Sequence, residues 1–319
     1  MYANDMQPEV VTFGESMALM MPAGNKGIEY SSQFVGGFAG AESNVAIGLA
    51  RLGHRVGWFS RLGNDPLGRM ILKKLRGEGV DTSRTELTDV GPTGLLFREN
   101  VSGKRSVYYY RKGSAASTMA PEFLDRSYIQ SANILHLTGI TPALSTGCRQ
   151  TVLEAVSVAR QSGVRISFDP NLRLKLWELD EARSVIFEIA QQADYFLPGL
   201  DEMKVLYDVN DVGEIIARLQ EMKAVSILKG EGETYVIDRD RVEAVPFYKA
   251  ERVVDMVGAG DGFCAGFLAG RLKGMSYAES ARLGNVVGAM VIQAEGDWEG
   301  IPTWEQVEDI LEGKKHIER

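Results

Sequence analysis

The amino-acid sequence predicts a three-layer α/β protein, a mostly parallel β-sheet with helices packed on both faces. Strand-like and helical segments alternate along nearly all of the 319 residues, the pattern left by strands joined through crossover helices. The first such run, Val10-Val-Thr-Phe-Gly14, is β-branched, short and ended by glycine, as in a strand buried within a parallel sheet. Hydrophobic residues at 45% and charged residues at 24% supply a large globular core and exclude disorder, collagen and small disulfide scaffolds. With no internal repeat, low-complexity tract or long linker, the chain reads as one unit over residues 1–319.

The elements follow in order. Residues 42–52 put Val45, Leu49 and Leu52 on one stripe, and Gly53 follows as a stop. A strand is expected over 55–60, and Asp65-Pro66 opens a helix reaching Gly77, with proline at the favoured first position. Further strands are expected near 134–137, 165–168, 195–197, 225–228 and 235–238, and helices near 146–162, 181–192, 213–222, 260–273 and 276–294. One stretch breaks the rhythm: 93–100 and 105–110 are strand-like runs around Val101-Ser-Gly-Lys104, which predicts a β-hairpin. Together with residues 15–35, also free of helical periodicity, residues 90–112 are expected to form a small β-sheet lid.

Charge narrows the function. Lys and Arg number 35 against 43 Asp and Glu, and the net charge of −8 argues against general affinity for nucleic acid or an anionic membrane. Two distant cysteines, Cys148 and Cys264, read as reduced core residues rather than a disulfide framework. The N-terminus lacks a basic region followed by an apolar stretch, and no apolar run is long enough to span a bilayer, so a cytoplasmic protein is expected. His54, His136 and His316 have no metal-ligand spacing, and Cys-x-x-Cys is absent, which disfavours a protein-built transition-metal site.

The run richest in chemistry is Asp255-Met-Val-Gly-Ala-Gly-Asp-Gly-Phe-Cys-Ala-Gly-Phe267. Gly258-Ala-Gly260 can adopt turn conformations closed to bulkier residues, and Phe263, Phe267 and Leu268 behind it share a helical stripe. Backbone N–H groups of residues 258–261 would then point out of a helix N-terminus, a ready anion site. On residue type alone Asp261 also serves as a helix cap; the density of glycine around it favours close approach to a phosphate instead. Neither Gly-x-x-x-x-Gly-Lys-[Ser/Thr] nor Gly-x-Gly-x-x-Gly occurs, and Glu15-Ser-Met17 follows the first strand, which disfavours P-loop enzymes and nicotinamide oxidoreductases.

These residues resemble the C-terminal signature of the ribokinase-like (PfkB) carbohydrate kinases. The companion N-terminal pattern is present as Gly36-Gly37, Gly40-Ala-Glu-Ser-Asn-Val-Ala-Ile-Gly-Leu-Ala-Arg-Leu-Gly53 and Arg61-Leu-Gly-Asn-Asp-Pro-Leu-Gly68, so the resemblance covers nearly the whole chain. Three further runs, Tyr108-Tyr-Tyr-Arg-Lys-Gly-Ser-Ala115, Asp169-Pro-Asn-Leu-Arg173 and Gly296-Asp-Trp-Glu-Gly-Ile-Pro302, are most similar to family members that phosphorylate 2-keto-3-deoxygluconate.

The resemblance implies a ribokinase-like fold with a β lid, ATP as co-substrate, Mg²⁺ arriving with it, and Asp261 as general base beside the anion-binding Gly258, Ala259 and Gly260. It implies sugar contacts from Gly40, Asn44, Tyr109, Arg111, Arg173 and Asp297, and nucleotide contacts from Asn171, Lys229, Gly230, Gly232, Gly258, Gly260 and Asn285. Tyr109 and Arg111 fall on one face of a strand, and two arginines with a tyrosine suit a sugar bearing a carboxylate. Read in isolation, Lys229 is a solvated strand end, the tyrosines are sheet-packing aromatics and Arg111 is an edge residue. A kinase of neutral sugars, of the fructokinase or ribokinase type, is the nearest alternative, and a silent sugar-binding protein of the same fold a further one. Met256-Val257 stands where many relatives have two threonines, which puts a monovalent-cation site using those side chains in doubt. Gly199 stands where the family carries Asn, leaving Glu202 for an indirect role at Mg²⁺. A lid with one apolar face needs covering, so a homodimer through the lids, or a larger assembly of such dimers, is expected.

Overall fold

The computed structural model describes residues 7–24, 26–101 and 103–311. The extreme N-terminus, Asn25, Ser102 in the predicted hairpin loop, and the segment containing His316 lie outside the described residues. After β1 (Val10–Phe13) come β2 (Met17–Pro22) and β3 (Phe34–Ala39), then α1 (Ala41–Arg51). β4 (Val56–Phe59), β5 (Arg61–Gly63), α2 (Pro66–Gly77) and β6 (Glu86–Thr88) lead to the hairpin β7 (Leu95–Val101) and β8 (Lys104–Tyr110). Next are α3 (Arg126–Gln130), β9 (Ile134–Thr138), α4 (Thr146–Ser162), β10 (Arg165–Asp169), α5 (Leu179–Ala190) and β11 (Tyr195–Phe196). The chain closes with α6 (Leu200–Tyr207), α7 (Val212–Gln220), β12 (Val225–Lys229), β13 (Glu233–Ile237), β14 (Val242–Pro246), α8 (Ala259–Leu272), α9 (Tyr277–Val291) and α10 (Trp304–Leu311).

An eight-stranded sheet in the order β14-β13-β12-β11-β10-β9-β1-β4 forms the middle layer; β4 to β12 run parallel and the last two strands antiparallel. Side chains alternate across it. Val11, Phe13, Leu135, Ile166 and Phe168 pack toward α4 and α5, whereas Val10, Ile134, Tyr195 and Ile227 pack toward α1, α8 and α9. The three-layer α/β fold is therefore the observed one. Its helix starts are set locally: Asp65 accepts from Gly68 N at 2.8 Å ahead of Pro66, and Ser145 accepts from Cys148 N at 3.1 Å at the head of α4. Both cysteines are buried and free.

A second sheet, β3-β2-β7-β8, stands apart from the first, with β2 parallel to β7 and the other pairs antiparallel. One of its faces carries Met17, Leu19, Ala39 and Leu96. The other carries Phe34, Phe97 and Tyr110, ring against ring at 5.6 and 5.8 Å, and leaves Phe34, Tyr108 and Tyr110 exposed. Differences from expectation are local. The strand expected at 235–238 lies over Glu233–Ile237, the helix expected to 294 ends at Val291, and α6 occupies a stretch where no helix was expected. No helix among the described residues is long and apolar enough to cross a membrane.

Candidate active site

The parallel strands deliver their C-terminal ends to one edge of the sheet, and there the first βα connections diverge, the place where open α/β sheets bind ligands. A cleft of about 400 Å³ opens at that edge, roofed by the second sheet. Its floor is the start of α8. Gly258, the residue before the helix, has φ +79°, and a Cβ there would lie 1.9 Å from the Asp297 carbonyl oxygen, so glycine is required on both counts. The free N–H groups of that first turn face the cleft, and Asp261 stands among them.

Asn44, on α1, donates from Nδ2 to Asp261 Oδ2 at 2.7 Å. The start of α1 reaches this point because Gly40 lets it press on the segment that follows β1: a Cβ there would lie 2.6 Å from Glu15 O. Burial pushes the Asp261 carboxyl up to about 7; Asn44 pulls the other way, Asp169 and Asp297 add to the rise, and Arg173 opposes it. A carboxylate poised near neutrality can accept a proton from a hydroxyl without being permanently protonated.

Tyr109, Arg111 and Arg173 line the same cleft. Arg111 lies one residue beyond β8 and donates from Nε to Glu15 Oε2 at 2.7 Å; Ser114 donates to the other oxygen of that fully buried carboxylate. Arg173 is exposed and donates to the Leu172 carbonyl at 3.1 Å. Asp297 completes the wall. Arg98 of β7 donates to it at 2.5 Å and lies 3.6 Å from Asp255, which also receives Arg105 of β8 at 2.8 Å. Burial raises the Asp297 carboxyl to about 6 against the pull of Arg98.

Lys229 is not a solvated strand end. Its ammonium sits 3.3 Å from Asp169 Oδ2 and 3.9 Å from where a Cβ on Gly260 would be, beneath the anion-facing turn. Burial works against its charge, but Asp169 and Glu202 outweigh that and raise its pKa above the ordinary lysine value. Glu202 lines the cleft too, with its two oxygens accepting from Leu172 N and Gly199 N, both at 2.7 Å, and burial raises its pKa. No cluster of three or more His, Cys, Asp or Glu side chains suited to a metal ion occurs among the described residues. The oxygen donors Asp169 and Glu202 are hard ligands of the kind magnesium accepts, directly or through water.

Gly40, Asn44, Tyr109, Arg111, Asn171, Arg173, Glu202, Lys229, Gly258, Gly260, Asp261 and Asp297 thus share one cleft. Ala259 is in the same turn but not on its wall, while Gly230 and Gly232 lie in the turn between β12 and β13. Asn285 is on α9, where its oxygen accepts from Thr234 at 2.8 Å and its amide donates to Pro246 O at 3.1 Å. Sequence reasoning missed Glu15, Arg98, Asp255 and Asp169. Asp169 ends β10 and Glu15 lies two residues beyond β1, so both follow from the strand ends of the parallel sheet, which is the signal that could have found them; Arg98 and Asp255 sit in hairpin and loop and carry no such mark.

The family model for pfkB family carbohydrate kinases matches residues 7–304. A 2-dehydro-3-deoxygluconokinase of Bacillus subtilis is 43% identical over 98% of both chains. A protein of the same description from Thermoproteus tenax is 32% identical, covering 95% of this chain and 94% of its own. The crystal structure of a 2-dehydro-3-deoxygluconokinase from Thermotoga maritima superposes with a TM-score of 0.88 at 26% identity, over 98% of this chain and 100% of that one.

Proposed function

The chain belongs to the pfkB family of carbohydrate kinases, and from that premise we propose that it transfers the terminal phosphoryl group of ATP to the C6 hydroxyl of 2-keto-3-deoxygluconate, releasing the 6-phosphate and ADP. The observation that carries this reading is the company kept in one cleft, where Asp261 beside its glycine turn shares the wall with Tyr109, Arg111 and Arg173. A six-carbon sugar acid offers a partner to each of these groups. Its carboxylate suits the guanidiniums and its terminal hydroxyl the base.

In this mechanism Asp261 accepts the hydroxyl proton as the sugar oxygen forms a bond to the γ-phosphorus, and the bond from phosphorus to the β,γ-bridging oxygen breaks as ADP leaves. N–H groups of residues 258–260 and the Lys229 ammonium face the oxygens on which charge accumulates. Asn44 holds the Asp261 carboxylate in line, and Asp297, kept ionised by Arg98, accepts from the sugar's hydroxyls. Asp169 and Glu202 are the carboxylates that would hold the water shell of a nucleotide-borne Mg²⁺, which would supply neutralisation of the phosphate charge. The β3-β2-β7-β8 sheet acts as the lid that excludes water, and its exposed aromatic face fits a homodimer in which two lids cover one another. We place the enzyme in the cytoplasm, where ATP is available.

Parallel ATP-consumption assays on keto-deoxygluconate, fructose, ribose and adenosine test the reading. The expected kcat/KM for the sugar acid exceeds that of any neutral sugar by roughly 10²-fold or more, because a neutral sugar forgoes the charge-assisted hydrogen bonds that a carboxylate makes to Arg111 and Arg173. A preference for fructose would overturn it and favour the neutral-sugar reading.

A further inference from the structure

Beyond the wall formed by Tyr109, Arg111 and Arg173 lies a second and larger space, a groove of about 1080 Å³ open to solvent, and these three residues line both. The two spaces differ in charge. Five carboxylates line the cleft, those of Glu15, Asp169, Glu202, Asp261 and Asp297; none lines the groove, where the charged side chains are Arg105, Arg111, Lys112, Arg173 and Lys175. Arg105 and Arg111 are neutralised by Asp255 and Glu15, but Lys112, Arg173 and Lys175 have no ion-pair partner among the described residues. On a chain of net charge −8 this is a concentrated exception. Leu144, Leu172, Leu174 and Leu176 supply apolar walls, and a cleft of one sign between low-dielectric walls focuses field lines into its mouth.

We propose that this groove is the vestibule through which the sugar acid reaches the cleft, and that Lys112 and Lys175 set the preference for an acidic over a neutral sugar by charge before any direct contact is made. The inference rests on the functional reading above. Lys175 Nζ and the Arg111 guanidinium carbon lie 5.8 and 5.6 Å from the centre of the Tyr109 ring, so the ring at the shared wall is bordered by one cation on the groove and one that faces both spaces. An anion drawn to Lys112 and Lys175 is handed on to Arg111 and Arg173. Neither lysine lines the cleft itself, so each acts at a distance and is screened by salt, over a Debye length of about 8 Å at physiological ionic strength.

The test compares the full-length wild-type enzyme with Lys112→Gln/Lys175→Gln and with the charge-reversed Lys112→Glu/Lys175→Glu, at saturating ATP so that nucleotide capture does not enter. For keto-deoxygluconate at low salt, the neutral variant is expected to lose about three- to tenfold in kcat/KM, carried by KM, and the reversed variant more. The loss shrinks several-fold at high salt, with kcat and the KM for ATP unchanged. Equal KM in all three proteins at low salt, or a loss that salt does not relieve, would overturn the vestibule while leaving the substrate assignment intact. If the wild-type enzyme does not prefer the acid to fructose, the substrate assignment itself fails, and the vestibule with it.

Discussion

The body and the lid of this molecule are held by different forces. Two apolar clusters sandwich the eight-stranded sheet, and Trp58, Phe13, Phe59, Phe168 and Phe267 are among their largest fully buried side chains. The lid's own apolar cluster amounts to Met17, Leu19, Ala39 and Leu96, and charge secures the rest: Arg98 to Asp297, Arg105 to Asp255, Arg111 to Glu15. Apolar burial does not depend on a ligand's charge, whereas buried ion pairs depend on every partner remaining in place. A rigid platform thus carries the base and the anion turn, and a charge-fastened cover carries the residues that meet the substrate.

Changes on each side can break that contrast. The largest effect belongs to the platform: Asp261→Asn is expected to lower kcat by roughly 10²–10⁴ with the fold intact, measured at saturating substrates. The same variant reports on stability. Because the folded carboxyl titrates near 7 and the unfolded one near the ordinary 3.8, the folded state holds the proton longer, and stability falls as pH rises between those values. Asp261→Asn removes that cost, so its Tm should exceed the wild type's at pH 8 and the gain should vanish toward pH 4. In the wild type, kcat/KM should rise with pH through about 7, the limb that Asp261 controls.

Next in size is the core. Phe267→Ala, at a fully buried ring stacked on Phe263, should cost about 3–5 kcal/mol in chemical denaturation, a loss spread over the whole body. Arg98→Met sharpens the contrast from the other side. It strands Asp297 and leaves Asp255 to Arg105 alone, and the expected result is faster amide exchange in β2, β7 and β8 and a raised KM for the sugar, with exchange in β9 and β10 unchanged. Equal loosening of β9 and β10 would mean that lid and body are one cooperative unit.

The same division governs what could be read beforehand. Helix 146–162 matches α4 because periodicity, the Ser145 cap and a left-handed Gly163 agree on both ends. The Pro66 helix is legible for similar reasons. Each is a local signal. The lid strands β2 and β3 were readable only as an absence of helix, since Met17–Pro22 lacks alternation and Phe34–Ala39 contains two glycines. In the cleft, glycine density marked the turn before Asp261, but nothing local marks Arg98 as the partner of Asp297: a charge on a hairpin reads as solvated until the fold brings an acid across. Taken alone, Lys229 reads as a solvated strand end for that reason, whereas the fold covers it with the carboxylates that keep it charged.

Asp297 meets the rest of the protein twice, its carbonyl oxygen seated against the bare face of Gly258 and its side chain gripped by Arg98. Such a joint does not drift piecemeal. Across sugar kinases built this way, positions 98 and 297 should be exchanged as a couple or kept as a couple, and a lineage in which one wandered alone would show that evolution found another hinge.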